Sequence, residues 1–119
     1  MELDLSSLHQ IPGFLGACIV DSRNGSTLSS IAFGEDIDMD RAGAANCEIV
    51  RAMQREMTSL GVEDEVEDIL FSLGNQYHLI RPVTHNPCVF VYVAVDRLTS
   101  NLAFARSQVR AVEQTLRVS

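Results

Sequence analysis

One stretch of sequence, PCVFVYVAVDR at residues 87–97, restricts the fold of this chain more than any other. Alternate side chains of an extended strand point to opposite faces. Four valines therefore lie on one face, and the other face carries Cys88, Phe90, Tyr92 and Ala94. A strand that is apolar on both faces must be covered on both. We predict that it lies inside a sheet with helices packed on each side.

The rest of the sequence supplies the other strands and the helices. Residues 14–21 and 26–33 have strand character and flank Asn24–Gly25, which is a strong hairpin signal. The further predicted elements are a short helix at 3–11, a long helix at 38–60, strands at 66–73 and 76–82, and a closing helix from Thr99 with the apolar stripe Leu98, Leu102, Ala105, Val109, Val112 and Leu116. The predicted fold is α/β (α+β), a five-stranded antiparallel sheet with helices on both faces, in the order α-β-β-α-β-β-β-α and in one domain over residues 1–119.

The long helix carries apolar residues at spacings of three and four, as expected for a helix with one buried face. They are Met39, Ala42, Ile49, Met53, Met57 and Leu60, with Asn46 in the same stripe. Acidic residues at 35–40 suit the helix N-terminus, and Gly61 suits its C-terminal cap. Ala44, Ala45 and Cys47 leave the remaining surface open to close approach. We expect a core-facing stripe, part of which meets a second copy of the chain.

The charge of the chain restricts its partners. The net charge is -7, and all nine basic residues are arginine. This balance argues against binding to nucleic acid or to anionic membranes. The absence of lysine excludes Schiff-base chemistry and the lysine of a phosphate-binding loop. No apolar run is long enough to span a membrane, and the acidic N-terminus lacks the features of a signal peptide, so a cytoplasmic location is expected.

A search for catalytic or metal-binding patterns finds none that is specific. The sequence has no GxSxG, HExxH, GxGxxG or phosphate-loop motif, and its three histidines lack metal-ligand spacing. Cys18, Cys47 and Cys88 form no CxxC pair and lie in apolar stretches, so we expect reduced core cysteines. We therefore predict no catalytic, cofactor-binding or metal-binding residue, and no enzyme.

Two charged features have more than one interpretation. Asp96–Arg97 follows the apolar strand and could be a general base with an orienting cation, but a cap between the strand and the next helix is the favoured interpretation. The acidic segment 63–68 is either a solvated loop, which we favour, or a surface for a basic partner.

Three segments together resemble one known family. IPGFLGACIVDSRNG, YHLIRP and VFVYVAVDRLTSNLAFARSQVRAVE occur in the order and spacing of Roadblock/dynein light chain domains. The most specific parts are Asp96–Arg97, the following Asn101–Leu102–Ala103, and Ala105–Arg106. The resemblance extends from about Leu5 to Leu116 and is to the bacterial type that regulates small GTPases. It implies a profilin-like or longin-like fold.

The resemblance also implies a function in protein interaction rather than in catalysis. Members of the family form homodimers or paired heterodimers through an edge strand and the long helix, and act as platforms, activators or scaffolds for Ras-like small GTPases in cell polarity and motility. The residues of this chain that map to the dimer interface are Ile69, Leu70, Phe71, Leu73, Ala45, Ile49 and Met53. Arg51 and Arg55 are the candidates for contact with the GTPase.

Two other functions stay open at this point. One is a structural adaptor subunit of a motor or secretion complex, which would need the same interaction surfaces. The other is a PAS-like sensor of a small molecule, which would need a cavity in the core with a few converging polar groups.

Overall fold

The computed structural model describes residues 3–32 and 38–118 and has the predicted element order. After an N-terminal 3-10 helix at Ser6–Gln10, the elements are β1 (Phe14–Asp21), β2 (Ser26–Ala32), α1 (Met39–Leu60), β3 (Ile69–Ser72), β4 (Gln76–Val83), β5 (Asn86–Asp96) and α2 (Leu102–Thr115). The strands form one antiparallel five-stranded sheet in the order β2-β1-β5-β4-β3. The predicted fold class is therefore confirmed.

The apolar stretch that opened the sequence analysis is the central strand of this sheet. β5 pairs with β1 on one side and with β4 on the other, and residues 89–95 are all buried. Its valine face packs beneath α2 and the 3-10 helix. Its other face, with Phe90, Tyr92 and Ala94, belongs to a second cluster that includes Val50 and Cys47 of α1. Each face thus has its own helical layer, as predicted.

Close packing between α1 and β1 depends on a glycine. A Cβ atom at Gly43 would lie 2.6 Å from Cγ2 of Val20, which is closer than real side chains approach. The absence of that atom lets the helix lie directly on the strand. The helix then ends at Gly61, which adopts the left-handed conformation at φ 68° and caps α1 as predicted.

Both helices begin at a side-chain cap. Asp38 caps α1 by accepting a hydrogen bond from the backbone N–H of Arg41 at 3.1 Å. Glu35 and Asp36, which were expected to precede this helix, lie outside the described residues, as does Phe33 at the predicted end of β2.

The predicted start of α2 was wrong. Asn101, rather than Thr99, is its N-cap and accepts from the N–H of Phe104 at 3.0 Å. The hydroxyl of Thr99 instead donates to Asp96 at 2.7 Å, which holds the turn before the helix. Leu98 consequently lies outside the helical stripe and is 82% exposed.

The buried stripe of α1 differs from the predicted one. Met39, Gly43, Asn46, Cys47 and Val50 are buried, so Cys47 faces the sheet rather than the outer surface. Ile49, Met53 and Leu60 are exposed. The predicted stripe thus contained residues from two neighbouring sides of the helix. Residues spaced three or four apart do not stay on one line along the helix, because each turn has 3.6 residues. The expectation of three core cysteines also fails for Cys88, which is only partly buried.

β3 is shorter than predicted because β4 carries Pro82. In an antiparallel sheet, every second residue of a strand bonds to the same neighbouring strand. On β4, the position after Ile80 that would bond to β3 is Pro82, and proline has no N–H to donate. Pairing between the two strands therefore ends at Ile69–Ile80. At the other end of β3, Arg97 connects the loop between β5 and α2 to the turn between β3 and β4. Its guanidinium donates to Leu73 O at 2.9 Å and lies 5.2 Å from the ring centre of Tyr77.

Asp96 and Arg97 therefore connect β5, β3 and the turn before α2, in agreement with the favoured structural interpretation.

In the described parts of the chain, neither helix is long and apolar enough to cross a membrane.

A buried ion pair connects β4 to α2. Nε of Arg81 lies 2.7 Å from Oε1 of Glu113, whose residue is only 1% exposed. Thr84 donates its N–H to the other carboxylate oxygen at 3.2 Å. Both oxygens of Glu113 are thereby engaged, which is what a buried carboxylate requires. In the sequence, Arg81 is only a charge at the end of a strand, and no local pattern points to its partner 32 residues away.

We predict that Glu113→Ala lowers the free energy of unfolding by about 3–5 kcal/mol, because Arg81 would remain buried without a counter-charge. The matched control is Gln114→Ala, which removes an exposed neighbour on the same helix and should change stability by less than about 0.5 kcal/mol. Urea denaturation of the two variants checks this. Equal small losses in both would mean that the ion pair does not carry the expected energy.

Candidate protein interface

The helix on the α1 side covers the sheet unevenly. α1 packs mainly against β1 and β2, which lie at one side of the sheet. On the same face, β4 and β3 lie at the other side and make no contact of comparable extent with α1 among the described residues. Side chains there lie at the border of the core cluster, where Ile69 and Phe71 are only partly buried. An apolar surface is thus exposed beside the long helix.

The wall of this surface is one flank of α1. Asn46, Ile49 and Met53 follow each other at helical spacings of three and four, so they lie on one side of the helix. Asn46 is buried, and Val50, four residues further along the helix, belongs to one core cluster with Tyr92 of β5. This flank therefore borders β5 and the strands beyond it. Met53 is 42% exposed and Ile49 is also exposed.

The floor consists of alternate residues of β3. Because Ile69 and Phe71 point to the α1 side, Leu73 continues the same row and is 45% exposed. We call the surface formed by Ile49, Met53, Ile69, Phe71 and Leu73 the open face. These five of the seven residues predicted for a dimer interface are brought together by the fold.

The other two predicted residues differ in their placement. Leu70 alternates with Ile69 and Phe71 and so points to the opposite face of the sheet, where α2 lies. Ala45 is exposed on α1 one helical turn before Ile49, so it extends the same side of the helix toward its N-terminus. Leu70 therefore does not belong to the open face.

The backbone edge of β3 borders the open face. Within the described residues β3 pairs with β4 alone, so one side of the strand has no strand neighbour. Its four residues carry no charge, and the strand is short, as exposed edges commonly are. Asp68, immediately before it, is held by two contacts of 3.0 Å from Arg106 of α2. The charge next to the strand is therefore already paired.

Polar side chains form a chain of hydrogen bonds at the base of the open face. Tyr92 Oη lies 2.9 Å from His78 Nδ1, and His78 Nε2 lies 2.7 Å from Gln76 Oε1. Since the amide oxygen of Gln76 can only accept, these partners assign the proton to Nε2 of a neutral imidazole and make Tyr92 the donor to Nδ1. Burial lowers the pKa of His78 below its ordinary value of 6.5.

The two nucleophilic side chains near these hydrogen bonds, Cys18 and Tyr92, are held in their unreactive, protonated forms. Burial, followed by the nearby Asp40 and Cys47, raises the pKa of the Cys18 thiol to about 12. Burial also raises the pKa of the Tyr92 phenol to about 12, against a smaller lowering by Asn46. A thiol and a phenol with such pKa values are protonated at neutral pH and poor nucleophiles. Over residues 3–32 and 38–118, no group of three or more His, Cys, Asp or Glu side chains has a metal-binding arrangement.

The two arginines predicted to contact a partner lie away from the open face. Arg51 and Arg55 are exposed and one helical turn apart, on the flank of α1 opposite to Ile49 and Met53. Arg51 forms an ion pair with Glu48 at 3.1 Å. No salt bridge involves Arg55 within the described residues. α1 thus presents an apolar flank on one side and a basic flank on the other.

Comparison with known proteins supports the fold and not a closer relationship. No protein-family model and no curated protein matches the sequence. Among solved structures, a Roadblock/LC7 domain from Streptomyces avermitilis aligns with a TM-score of 0.78 at 14% identity, covering 92% of this chain and 88% of that one. The gliding protein mglB from Thermus thermophilus aligns with a TM-score of 0.78 at 12% identity, covering 92% and 80%. An MglB structure with a tetrameric arrangement aligns with a TM-score of 0.80 at 13% identity, covering 94% and 81%.

The chain has the Roadblock/LC7 fold. The resemblance seen in the three sequence segments is therefore confirmed at the level of the fold. The segment that carried the resemblance is β5 with the following Asp96–Arg97. In the structure, β5 is the central strand of the sheet, and Asp96–Arg97 connects the end of β5 to the end of β3 and to the turn before α2.

Sequence reasoning missed the polar base of the open face. Gln76 and His78 lie on β4 and Tyr92 lies on β5, and only the pairing of the two strands places His78 beside Tyr92. Asn46 interrupts an otherwise apolar stripe of α1, and its side-chain amide donates to Ala42 O at 2.7 Å. A polar residue in a buried stripe usually has a hydrogen-bond partner.

We predict that stability falls as the pH drops below about 6.5, the ordinary pKa of histidine. The pKa of His78 is lowered in the folded state, so the unfolded chain takes up a proton first and the free energy of unfolding decreases until the folded-state pKa is reached. The His78→Gln variant keeps a donor and an acceptor but does not titrate, and its stability should change less over this range.

Thermal or urea denaturation across the pH range measures the difference between the two proteins. His9 and His85 are present in both and cancel in the comparison. Parallel stability curves for the wild type and His78→Gln would contradict the assignment of a neutral, partly buried imidazole.

Proposed function

We propose that this chain is a single Roadblock-like domain that acts without catalysis of its own, as a cytoplasmic homodimer that binds and regulates a Ras-like small GTPase. A role in polarity or motility is part of the proposal. It is supported by the sequence resemblance to GTPase-regulating Roadblock domains and by the fold shared with the gliding protein mglB. The observation that carries the proposal is the open face beside an unpaired edge strand.

The distribution of exposed apolar side chains supports self-association. The large exposed hydrophobic residues are Ile49, Met53, Leu60, Val62, Leu70, Leu73, Leu98 and Phe104. Three of them, Ile49, Met53 and Leu73, lie on the open face. Single exposed hydrophobic residues are common, but a contiguous group marks an interaction site. Here the group borders the outer edge of β3, which pairs with no strand other than β4 among the described residues.

In the proposed dimer, a second copy of the chain pairs with the edge of β3 and also covers the apolar side chains beside it. In a two-fold dimer the same patch meets itself, so an antiparallel pair of β3 strands satisfies both edges and makes one continuous sheet. The two α1 helices then lie side by side over the apolar floor. The uncharged sequence ILFS at residues 69–72 places no like charges opposite each other in such a pair.

We predict that Met53→Asp converts the dimer into a monomer, because it places a carboxylate in the centre of the apolar contact. Met53 is 42% exposed in the single chain, so the substitution should leave the fold intact. Phe104→Asp is the matched control, since Phe104 is exposed on α2, which packs on the other face of the sheet. Light scattering after size exclusion measures the mass, and circular dichroism checks the fold.

The two variants separate the possible results. A monomeric Met53→Asp protein beside a dimeric Phe104→Asp protein is the expected pattern. A wild-type protein that is monomeric at high concentration, or a Met53→Asp protein that stays dimeric, would contradict self-association through the open face.

The basic flank of α1 is the proposed contact with the GTPase. Arg51 and Arg55 are two of only nine cations in a chain of net charge -7, and they are exposed on one side of the helix. Arginine binds phosphates and carboxylates with two parallel hydrogen bonds, and it stabilises the charge of phosphoryl transfer in GTPases. The flank lies opposite to the dimer contact, so both surfaces of α1 are usable together.

We predict that the Arg51→Ala, Arg55→Ala double variant binds a GTP-loaded Ras-like GTPase about tenfold more weakly, the loss expected for two charge-assisted contacts at an exposed surface. Arg41→Ala is the control, because Arg41 is also exposed on α1 but more than two helical turns away. Fluorescence anisotropy of the labelled GTPase gives the affinities, and hydrolysis assays give the rates.

Binding without a change in the hydrolysis rate would assign a scaffolding role to this domain. A dimer that binds no Ras-like GTPase in either nucleotide state would overturn the GTPase proposal, and the adaptor role would then account for the open face.

A further inference from the structure

A second surface lies at the end of the sheet and shares no residue with the open face. It is a groove of about 690 Å³ between the C-terminal half of α1, the segment 62–67, the end of β4 and the C-terminal half of α2. This volume is within the range of binding sites for small ligands and for a few side chains of a partner. We call it the acidic groove, for the carboxylates that line it.

The bed of the acidic groove is apolar. It is formed by Met57 of α1, Val62 and Val66 of the connecting segment, and Pro82 of β4. Val62 is 48% exposed and Met57 and Val66 are partly exposed. An apolar bed of this kind favours binding of apolar side chains over a free charged or sugar-like ligand.

One wall of the groove carries accessible negative charge. Asp64, Glu65 and Glu67 are exposed along the segment before β3. In the described parts of the chain no salt bridge involves Asp64 or Glu65, and Glu67 has only a long contact of 3.8 Å with Arg81. Arg81 itself is occupied by the buried Glu113 at 2.7 Å. Its charge is therefore already neutralised.

The opposite wall has one accessible cation, Arg110 of α2, which forms no salt bridge with a described residue. Three exposed carboxylates thus face one exposed guanidinium. The groove favours a partner that carries positive charge on the side facing the segment 62–67.

The backbone at the groove does not accept an added strand. Beyond Ile80, the next β4 position on the outer edge is Pro82, which has no N–H. The N–H of Thr84 is already donated to Glu113 at 3.2 Å. A partner that cannot pair its backbone with the sheet must satisfy its own backbone groups, and a helix does so.

From the apolar bed, the acidic wall and the closed edge, we infer that the acidic groove docks a cationic amphipathic helix of another protein. Its apolar side chains would fill the space over Met57, Val62 and Val66, and its lysine or arginine residues would face Asp64 and Glu65. A second copy of this chain is a poor occupant, because it has a net charge of -7 and an acidic surface of its own. The inference does not depend on the proposed dimer or on the GTPase.

The probe for this inference is a synthetic helical peptide of roughly four turns. Leucines at helical spacing form one face and lysines the other. A twin peptide with glutamate in place of every lysine has the same apolar face and the opposite charge. Fluorescence anisotropy at physiological ionic strength gives the affinity of each peptide for the full-length chain. We expect saturable binding of the lysine peptide and none of the glutamate peptide.

Two variants of the groove should shift the affinity in opposite directions. Asp64→Asn with Glu65→Gln removes two carboxylates and should weaken binding about fivefold, whereas Arg110→Glu removes the competing cation and should strengthen it about twofold. Glu48→Gln with Glu56→Gln is the matched control, since both residues are exposed on α1 and neither lines the groove. It changes the net charge by the same amount and should leave the affinity within about twofold.

Chemical-shift mapping on the isotopically labelled chain gives the location. We expect the largest shifts at Val62, Val66 and Arg110. Equal weakening in the groove and control variants, equal binding of the two peptides, no saturable binding, or shifts confined to the open face would each overturn the inference. A failure of this kind leaves the oligomeric state measured for Met53→Asp unaffected, so the two proposals are judged separately.

Discussion

The burial of β5 on both faces is the constraint on which the rest of the structure depends. A strand with valines on one face and Phe90, Tyr92 and Ala94 on the other cannot lie at a solvent-exposed surface without exposing one apolar row. It therefore takes the central position in the sheet, and helices cover both faces. The buried pair Arg81–Glu113 then ties β4 to α2 across the valine side. Both rows of β5 are hidden because the strand is central and each face has a helical layer.

The incomplete cover of the second face is what creates the open face. α1 is held close to β1 by the absence of a side chain at Gly43, and so it lies over one side of the sheet only. The same face of β3 and β4 is left for something else to cover, and the flank of α1 beside it is apolar. The open face is thus a direct result of where the helix packs. The acidic groove arises at the opposite end, where Pro82 stops the pairing of β3 with β4 and the connecting segment moves away from the sheet.

The comparisons support the fold, and the chemistry of the described residues supports the functional proposals. Solved structures at 12–14% identity establish the Roadblock/LC7 fold. The functional proposals depend instead on named surfaces: the apolar open face, the basic flank of α1 and the acidic groove. These three surfaces share no residue, so the three proposed contacts do not compete with one another for the same side chains.

The sequence by itself determined the element order, the central strand, the hairpin at Asn24–Gly25 and the end of α1 at Gly61, because each depends on local backbone preference or on alternation within one segment. Only the tertiary structure decided which stripe of α1 is buried, that Leu70 lies off the open face, that Arg81 has Glu113 as its partner, and that His78 bonds to Tyr92. These are contacts between segments distant in sequence. They depend on how far a helix rotates over a sheet and on the register of paired strands, and a periodic pattern read along one segment contains neither quantity.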